Sequence, residues 1–245
     1  MLNSSDTEFA GLKCRVIDAL PEGVAPQIVV VLCHGFGAPG DDLAAFGPHL
    51  IGSSDAIARR CRLVFPEAPI DLGPMGMPGG RAWWAINMSM LAQINQTQEY
   101  EKLTSLEPEG MVKASTQLND AINQMQAAYQ LPASSFVVGG FSQGAMVTTD
   151  VVLRHGLKPA QLVLFSGTLL CSEDWKVFAG EHEGCPVLQS HGRQDSLLPY
   201  APSEWLRDLL SSNGFDVSFI PFNGDHTIPM EVLTEVANVL QRLAN

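Results

Sequence analysis

Phe136-Val137-Val138-Gly139-Gly140-Phe141-Ser142-Gln143-Gly144-Ala145-Met146-Val147 is the stretch on which the fold turns. Residues 136–138 read as a buried strand, and Ala145-Met146-Val147 opens a helix. Between them lies G-x-S-x-G, a pattern that chance alone produces in roughly one chain in ten of this length. Its setting makes it specific. A strand that turns sharply at a serine and leaves as a helix is the geometry of a nucleophile elbow, which presents a hydroxyl at the top of a sheet. Gly140 and Gly144 fit that geometry, because a side chain at either position would clash where the chain doubles back.

Outward from the elbow, short aliphatic runs recur at 28–32, 63–65, 162–165, 187–189 and 217–220, each closed by Gly, Pro or a polar turn. Helix-period stretches lie between several of them: Met111, Leu118, Ile122, Met125 and Tyr129; Trp205, Leu206, Leu209 and Leu210; and Val232, Val236, Val239, Leu240 and Leu243. The alternation predicts an α/β fold, a mostly parallel central sheet with helices on both faces, since right-handed crossovers lay a helix over the sheet after each strand. Residues 14–19 are expected to add an antiparallel edge strand, and disorder is not expected beyond the first ten or so residues. At 245 residues and 46% hydrophobic content, 1–245 is expected to form a single domain. Residues 71–111 break the rhythm, and a segment of that length between elements is usually functional. It reads as a lid or acyl-pocket insertion, with Met75, Met77, Trp83, Trp84, Met88 and Met90 as its apolar set. Met77, Trp83 and Trp84 are the expected substrate contacts.

A serine hydroxyl needs a base within hydrogen-bond reach and a carboxylate to hold that base in its productive tautomer. After an elbow the order of these groups should be serine, acid, histidine. Of His155, His182, His191 and His226, only His226 follows the last predicted strand and precedes the last helix, in Gly224-Asp225-His226-Thr227-Ile228-Pro229. His155 suits a helix C-terminus, His182 sits in a polar stretch and reads as a solvated surface residue, and His191 ends a strand and reads as shaping a loop. Asp195, in the turn after the penultimate strand, falls at the same sheet edge as Ser142 and His226. Asp216 begins a strand and points from the opposite edge, while Asp225 adjoins the base and should turn away from it. The oxyanion requires two backbone N–H groups, one from the residue after the nucleophile and one from the loop after an early strand. Gln143 supplies the first and Phe36, in Cys33-His34-Gly35-Phe36-Gly37, the second; His34 reads as structural.

Other classes of function fare worse. Gly35-Phe36-Gly37-Ala38-Pro39-Gly40 matches G-x-G-x-x-G, but Asp41 and Asp42 stand where a pyrophosphate would sit and would repel it. A formal charge of −12 makes nucleic acid and anionic lipid poor partners. Cys14, Cys33, Cys61, Cys171 and Cys185 lack the spacing of a zinc or redox site and read as reduced core or surface thiols. No metal or cofactor is expected. With no signal peptide at Met1 to Ala10 and no apolar run of membrane-spanning length, no stable membrane insertion and a cytoplasmic location are expected.

With these residues placed, the chain resembles the phospholipase/carboxylesterase family of the α/β-hydrolase superfamily, which includes bacterial carboxylesterases and acyl-protein thioesterases. The likeness runs over most of 28–243. It is carried by Leu32-Cys33-His34-Gly35-Phe36-Gly37, Phe65-Pro66-Glu67-Ala68-Pro69, Arg81-Ala82-Trp83-Trp84, the elbow, Ser166-Gly167, Gln189-Ser190-His191-Gly192 through Asp195, and Gly224-Asp225-His226-Thr227-Ile228-Pro229. The resemblance implies Ser142, Asp195 and His226 as triad, Phe36 and Gln143 as oxyanion donors, and a small-molecule acyl ester or thioester as substrate. It fails at 38–42 and 85–112. Lysophospholipase and protein depalmitoylase are the enzymatic alternatives, and a hydrolase-fold binding protein without turnover is the non-enzymatic one.

Overall fold

The computed structural model describes residues 1–180 and 184–245, so the reading of His182 lies outside the described residues. In chain order the elements are β1 (Asn3–Phe9), β2 (Leu12–Asp18), β3 (Ile28–Cys33), α1 (Gly47–Gly52), α2 (Asp55–Arg60), β4 (Cys61–Pro66), β5 (Ile70–Asp71), β6 (Arg81–Ala82), α3 (Met88–Thr97) and α4 (Tyr100–Thr104). They continue with α5 (Met111–Tyr129), β7 (Phe136–Phe141), α6 (Gln143–His155), β8 (Gln161–Phe165), α7 (Ser172–Ala179), β9 (Pro186–Gly192), α8 (Tyr200–Ser212), β10 (Asp216–Phe222) and α9 (Met230–Ala244).

Eight strands form one sheet in the order β1-β2-β4-β3-β7-β8-β9-β10. The pairs β1/β2 and β2/β4 are antiparallel and all others parallel. Every residue of β3 and β8 is buried, as expected for strands covered on both faces. One face packs on α5, α6, α7 and α8 through residues such as Leu118, Met125, Val147, Trp175 and Leu206. The other packs on α1, α2 and α9 through Leu50, Ile57, Val236 and Leu240. The mostly parallel sheet with helices on both faces, expected from the alternation of runs, is therefore present.

The N-terminus departs from the sequence reading. Residues 12–18 form an inner strand rather than the expected edge strand, and the sheet edge is β1, made from the first ten residues, for which no strand was expected. Nothing in Asn3-Ser4-Ser5-Asp6-Thr7-Glu8 alternates, and six of the seven β1 residues are exposed. A two-residue turn sets the strand instead: Ala10 and Gly11 both take positive φ, 48° and 76°, the combination that matches the twist of a tight hairpin. The turn is held to α5, where Gln124 accepts the Ala10 N–H and Gln117 donates to the Ala10 carbonyl.

All five cysteines are buried and free, which excludes the surface-thiol reading. Burial pushes Cys14, Cys61 and Cys171 up to about 12 and Cys185 to about 11, so none supplies a thiolate near neutral pH. Among the described residues no helix is long and apolar enough to cross a membrane.

Candidate active site

Because β3, β7, β8, β9 and β10 run parallel, the loops that follow β3, β7, β9 and β10 emerge at one rim, and each carries a residue singled out above. Ser142 stands between β7 and α6 at φ 55° and ψ −116°, a conformation costly for a residue with a Cβ and the kind of strain stored at reactive turns. Its N–H donates to Phe165 O at 2.9 Å, which fixes the turn to the next strand. The flanking glycines are required by contact: a Cβ on Gly140 would lie 2.4 Å from Cys33 O, and one on Gly144 would lie 2.0 Å from it.

His226 lies in the loop after β10, its ring 4.6 Å from that of Phe141, the neighbour of Ser142. Its Nδ1 is 2.7 Å from Asp195 Oδ2. The other carboxylate oxygen of Asp195 accepts the N–H groups of Leu197 and Leu198 at 3.0 and 2.8 Å. Burial by itself would raise the Asp195 carboxyl, but the imidazoles of His191 and His226 and the Leu198 N–H hold it well below the usual carboxylate range. Among the described residues no hydrogen bond joins Ser142 Oγ to the His226 ring. Such contacts are often long in a resting site and tighten with substrate in place.

Asp225 turns away from the His226 imidazole. Its Oδ1 accepts from Ser196 N at 2.8 Å, Ser196 Oγ at 2.9 Å and the His226 backbone N–H at 2.8 Å, which lowers its carboxyl and ties the Asp195 loop to the His226 loop. The two loops touch where Gly192 leaves room for them: a Cβ there would meet Gly224 O at 2.4 Å and Asp225 O at 2.5 Å. His155, in the last turn of α6, lies 3.4 Å from Ser115 Oγ and takes no part in this cluster.

The loop after β3 faces the elbow, with the Cβ direction of Gly35 3.3 Å from Ser142 Cβ. His34 is buried; its Nε2 accepts the Ala68 N–H at 3.1 Å, leaving Nδ1 to donate to Gly35 O at 2.8 Å. Burial lowers the basicity of this ring, in keeping with the single proton that the two bonds imply. The same bond orients the Gly35–Phe36 peptide. In a planar trans peptide the C=O and N–H point in opposite directions, so anchoring Gly35 O on one side aims the Phe36 N–H to the other. No backbone acceptor is described for the Phe36 N–H. The Gln143 N–H, first in α6, is one of the donors a helix leaves unpaired.

Sequence reasoning missed the Gln143 side chain. It is fully buried, accepts the Trp83 N–H on Oε1 at 2.9 Å and donates from Nε2 to Trp84 O at 2.8 Å, so the elbow is bonded directly to the 71–111 segment. Arg81 ties the same segment to the loop after β3, as its carbonyl accepts the Gly37 N–H and its N–H donates to Ala38 O. Paired donors and acceptors on an amide give no hydrophobic signal in a sequence.

Beside this rim an apolar cavity of about 280 Å³ lies between α3, α4 and the start of α6. Its walls include Trp84, Leu91, Ile94, Leu103 and Leu106 from the 71–111 segment, Met146 one turn beyond Ser142, and Leu198 three residues beyond Asp195. Of the three expected substrate contacts, Trp84 lines the cavity. Trp83 does not: its Nε1 donates to His34 O at 3.0 Å, so it braces the loop that bears Phe36. Met77 lies against Gly37, outside the cavity. Its neighbourhood is less bare than the sequence suggested, with β5 and β6 pairing as a small hairpin and α3 and α4 following. The G-x-G-x-x-G match ends in packing, since a Cβ on Gly40 would meet the Glu67 side chain at 2.6 Å. Among the described residues no cluster of three or more His, Cys, Asp or Glu converges that would hold a metal ion.

The chain is similar to several known proteins. Acyl-protein thioesterase 1 of Neurospora crassa is 28% identical over 95% of this chain and 93% of its own length. Acyl-protein thioesterase 1 of Kluyveromyces lactis is 30% identical over 70% of this chain and 71% of its own. In fold the chain is similar to esterase PE8, with a TM-score of 0.73 at 24% identity, 99% of both chains covered. It is also similar to a carboxylesterase from Mesorhizobium loti, with a TM-score of 0.71 at 18% identity over 98% of this chain and 99% of that one. The model of the phospholipase/carboxylesterase family matches residues 19–244, and the chain belongs to that family, a serine hydrolase of carboxylic ester bonds.

Proposed function

We propose that Ser142, His226 and Asp195 are the catalytic triad and that the N–H groups of Phe36 and Gln143 form the oxyanion hole. The 2.7 Å contact between His226 Nδ1 and Asp195 Oδ2, at the same rim as the strained Ser142, carries this reading. With its Nδ1 proton engaged by the carboxylate, His226 presents the Nε2 lone pair, which removes the Ser142 proton as Oγ attacks the acyl carbon. Negative charge collects on the former carbonyl oxygen, where the two N–H groups await it. Collapse expels the alcohol or thiol, protonated by His226, and leaves an acyl-serine; a water deprotonated by His226 then releases the acid and restores Ser142.

The acyl chain lies in the cavity between Trp84, Leu91, Ile94 and Met146, and the 84–109 part of the 71–111 segment is the acyl-pocket wall. At about 280 Å³ it falls just below the roughly 300–1,000 Å³ range of ligand sites, which favours short and medium acyl chains. A protein-depalmitoylase reading is favoured by the thioesterase relatives and would require the wall to open further. Five free, buried cysteines suit a reducing compartment, and a cytoplasmic site of action is part of the proposal.

A panel of p-nitrophenyl esters and acyl thioesters of graded chain length tests the reading. We expect kcat/KM to peak at short or medium chains and Ser142→Ala to abolish turnover with the fold retained. Turnover by pure Ser142→Ala, or an optimum at the longest chains, would overturn the nucleophile or the pocket assignment respectively.

A further inference from the structure

We propose that His191 is a positioning residue for the reaction, holding the carboxylate that orients His226; this rests on Asp195 being the acid of the triad. His191 sits at the end of β9, fully buried, four residues before Asp195. Its Nε2 is 2.8 Å from Leu198 O and 3.2 Å from Asp195 Oδ2, the oxygen that faces His226 Nδ1. A carbonyl oxygen only accepts, so the proton sits on Nε2, and the better-aligned contact is the one to Leu198 O. The Leu198 N–H in turn donates to Asp195 Oδ1. Leu198 is thereby gripped at both ends of its backbone, one by the acid and one by His191, and the carboxylate is set between Leu197 and Leu198 N–H groups on Oδ1 and two imidazoles on Oδ2.

The other ring nitrogen sharpens the argument. His191 Nδ1 is buried and has no hydrogen-bond partner, which is a cost an apolar side chain of similar size would not carry. What the imidazole supplies here and leucine would not is the Nε2–H beside Asp195. Leu198 is also a wall of the acyl cavity, so the same clamp sets the acid against the pocket. The groups around the pair are Arg193 and Tyr200 from the following loop and helix and Asp225 from the His226 loop; none of them replaces the Nε2–H on Leu198 O.

The test is a double-mutant cycle on p-nitrophenyl butyrate. His191→Leu should lower kcat by about 10- to 100-fold with KM within about twofold, and His191→Gln, whose amide carries a donor to the same place, should recover most of the loss. In an Asp195→Asn background His191→Leu should add no further loss, because a residue acting through the acid has nothing left to position. An unchanged kcat in His191→Leu, or a full additional loss in the Asp195→Asn background, would overturn the proposal. If Asp195→Asn itself keeps full activity, the acid assignment falls and the proposal with it; if Asp195→Asn lowers kcat sharply and His191→Leu leaves it unchanged, only the role of His191 falls. Should His191→Leu fail to fold, nitrogen-15 NMR of the wild-type imidazoles decides instead: a proton on Nε2 of His191 supports the clamp, and a proton on Nδ1 overturns it.

Discussion

A Cβ on Gly144 would meet the Cys33 carbonyl oxygen at 2.0 Å, whereas Met88 and Met90, on the helix that walls the cavity, are 48% and 39% exposed. The two regions are neighbours, joined through Gln143 and the Trp83-Trp84 backbone, yet they meet different demands. At the rim, proton transfer needs atoms placed to fractions of an ångström, and the chain supplies this with strained backbone, glycines that nothing else can replace, and carboxylates with several donors each. In the wall, the acyl chain of the proposed reaction would offer only area, and short helices with a flexible methionine, Met90, suit it without fixed geometry. Precision and adaptability are thus separated by a few residues of chain.

The largest effect expected from breaking this contrast is at the elbow. Gly144→Ala should destabilise the protein by about 3 kcal/mol or more, because backbone carbonyls of β3 cannot retreat, and the loss should appear as a drop in melting temperature and soluble yield. Asp195→Asn should leave the protein folded and lower kcat by about 10³- to 10⁴-fold, the cost of releasing the orientation of His226. In the wall, Leu91→Trp should lower kcat/KM for the longer acyl chains by about tenfold while acetate is hydrolysed as before, which chain-length panels would read directly.

A smaller effect comes from pH. The Asp195 carboxyl is held well below its unfolded value near about 3.9, so its contribution to stability is fully present above that value and is lost as pH falls below it toward the folded one. Thermal unfolding followed from pH 6 to 2.5 should therefore show a descending limb that Asp195→Asn makes shallower. Smallest of all, Met88→Ala should change stability by less than about 0.5 kcal/mol, since its side chain faces solvent.

Legibility in the sequence followed the same division. Buried strands such as 28–32 and 162–165 announce themselves because both faces are covered, and the elbow because its steric demands leave only glycine at two positions. The order of Ser142, Asp195 and His226 along the chain placed them on loops that a parallel sheet brings to one rim. β1 was not legible, because a polar strand set by the Ala10-Gly11 turn and by amide bonds to α5 carries no periodic signal. The bond that Trp83 makes to the loop after β3 was not legible for a related reason: an aromatic residue in an insertion has the same composition whether it faces a cavity or braces a loop, and the Nε1 bond to His34 O is seen only in the structure. His191 read as a loop residue because the carbonyl it holds, Leu198 O, is a backbone atom that no side-chain pattern reports.

The most direct test of the central claim, that the His226–Asp195 pair activates Ser142, is labelling with a fluorophosphonate followed by peptide mass spectrometry. The account predicts one adduct per chain, located on Ser142, with labelling slowed by orders of magnitude in His226→Ala. An adduct on a different residue, or labelling of Ser142 at an undiminished rate in His226→Ala, would contradict it.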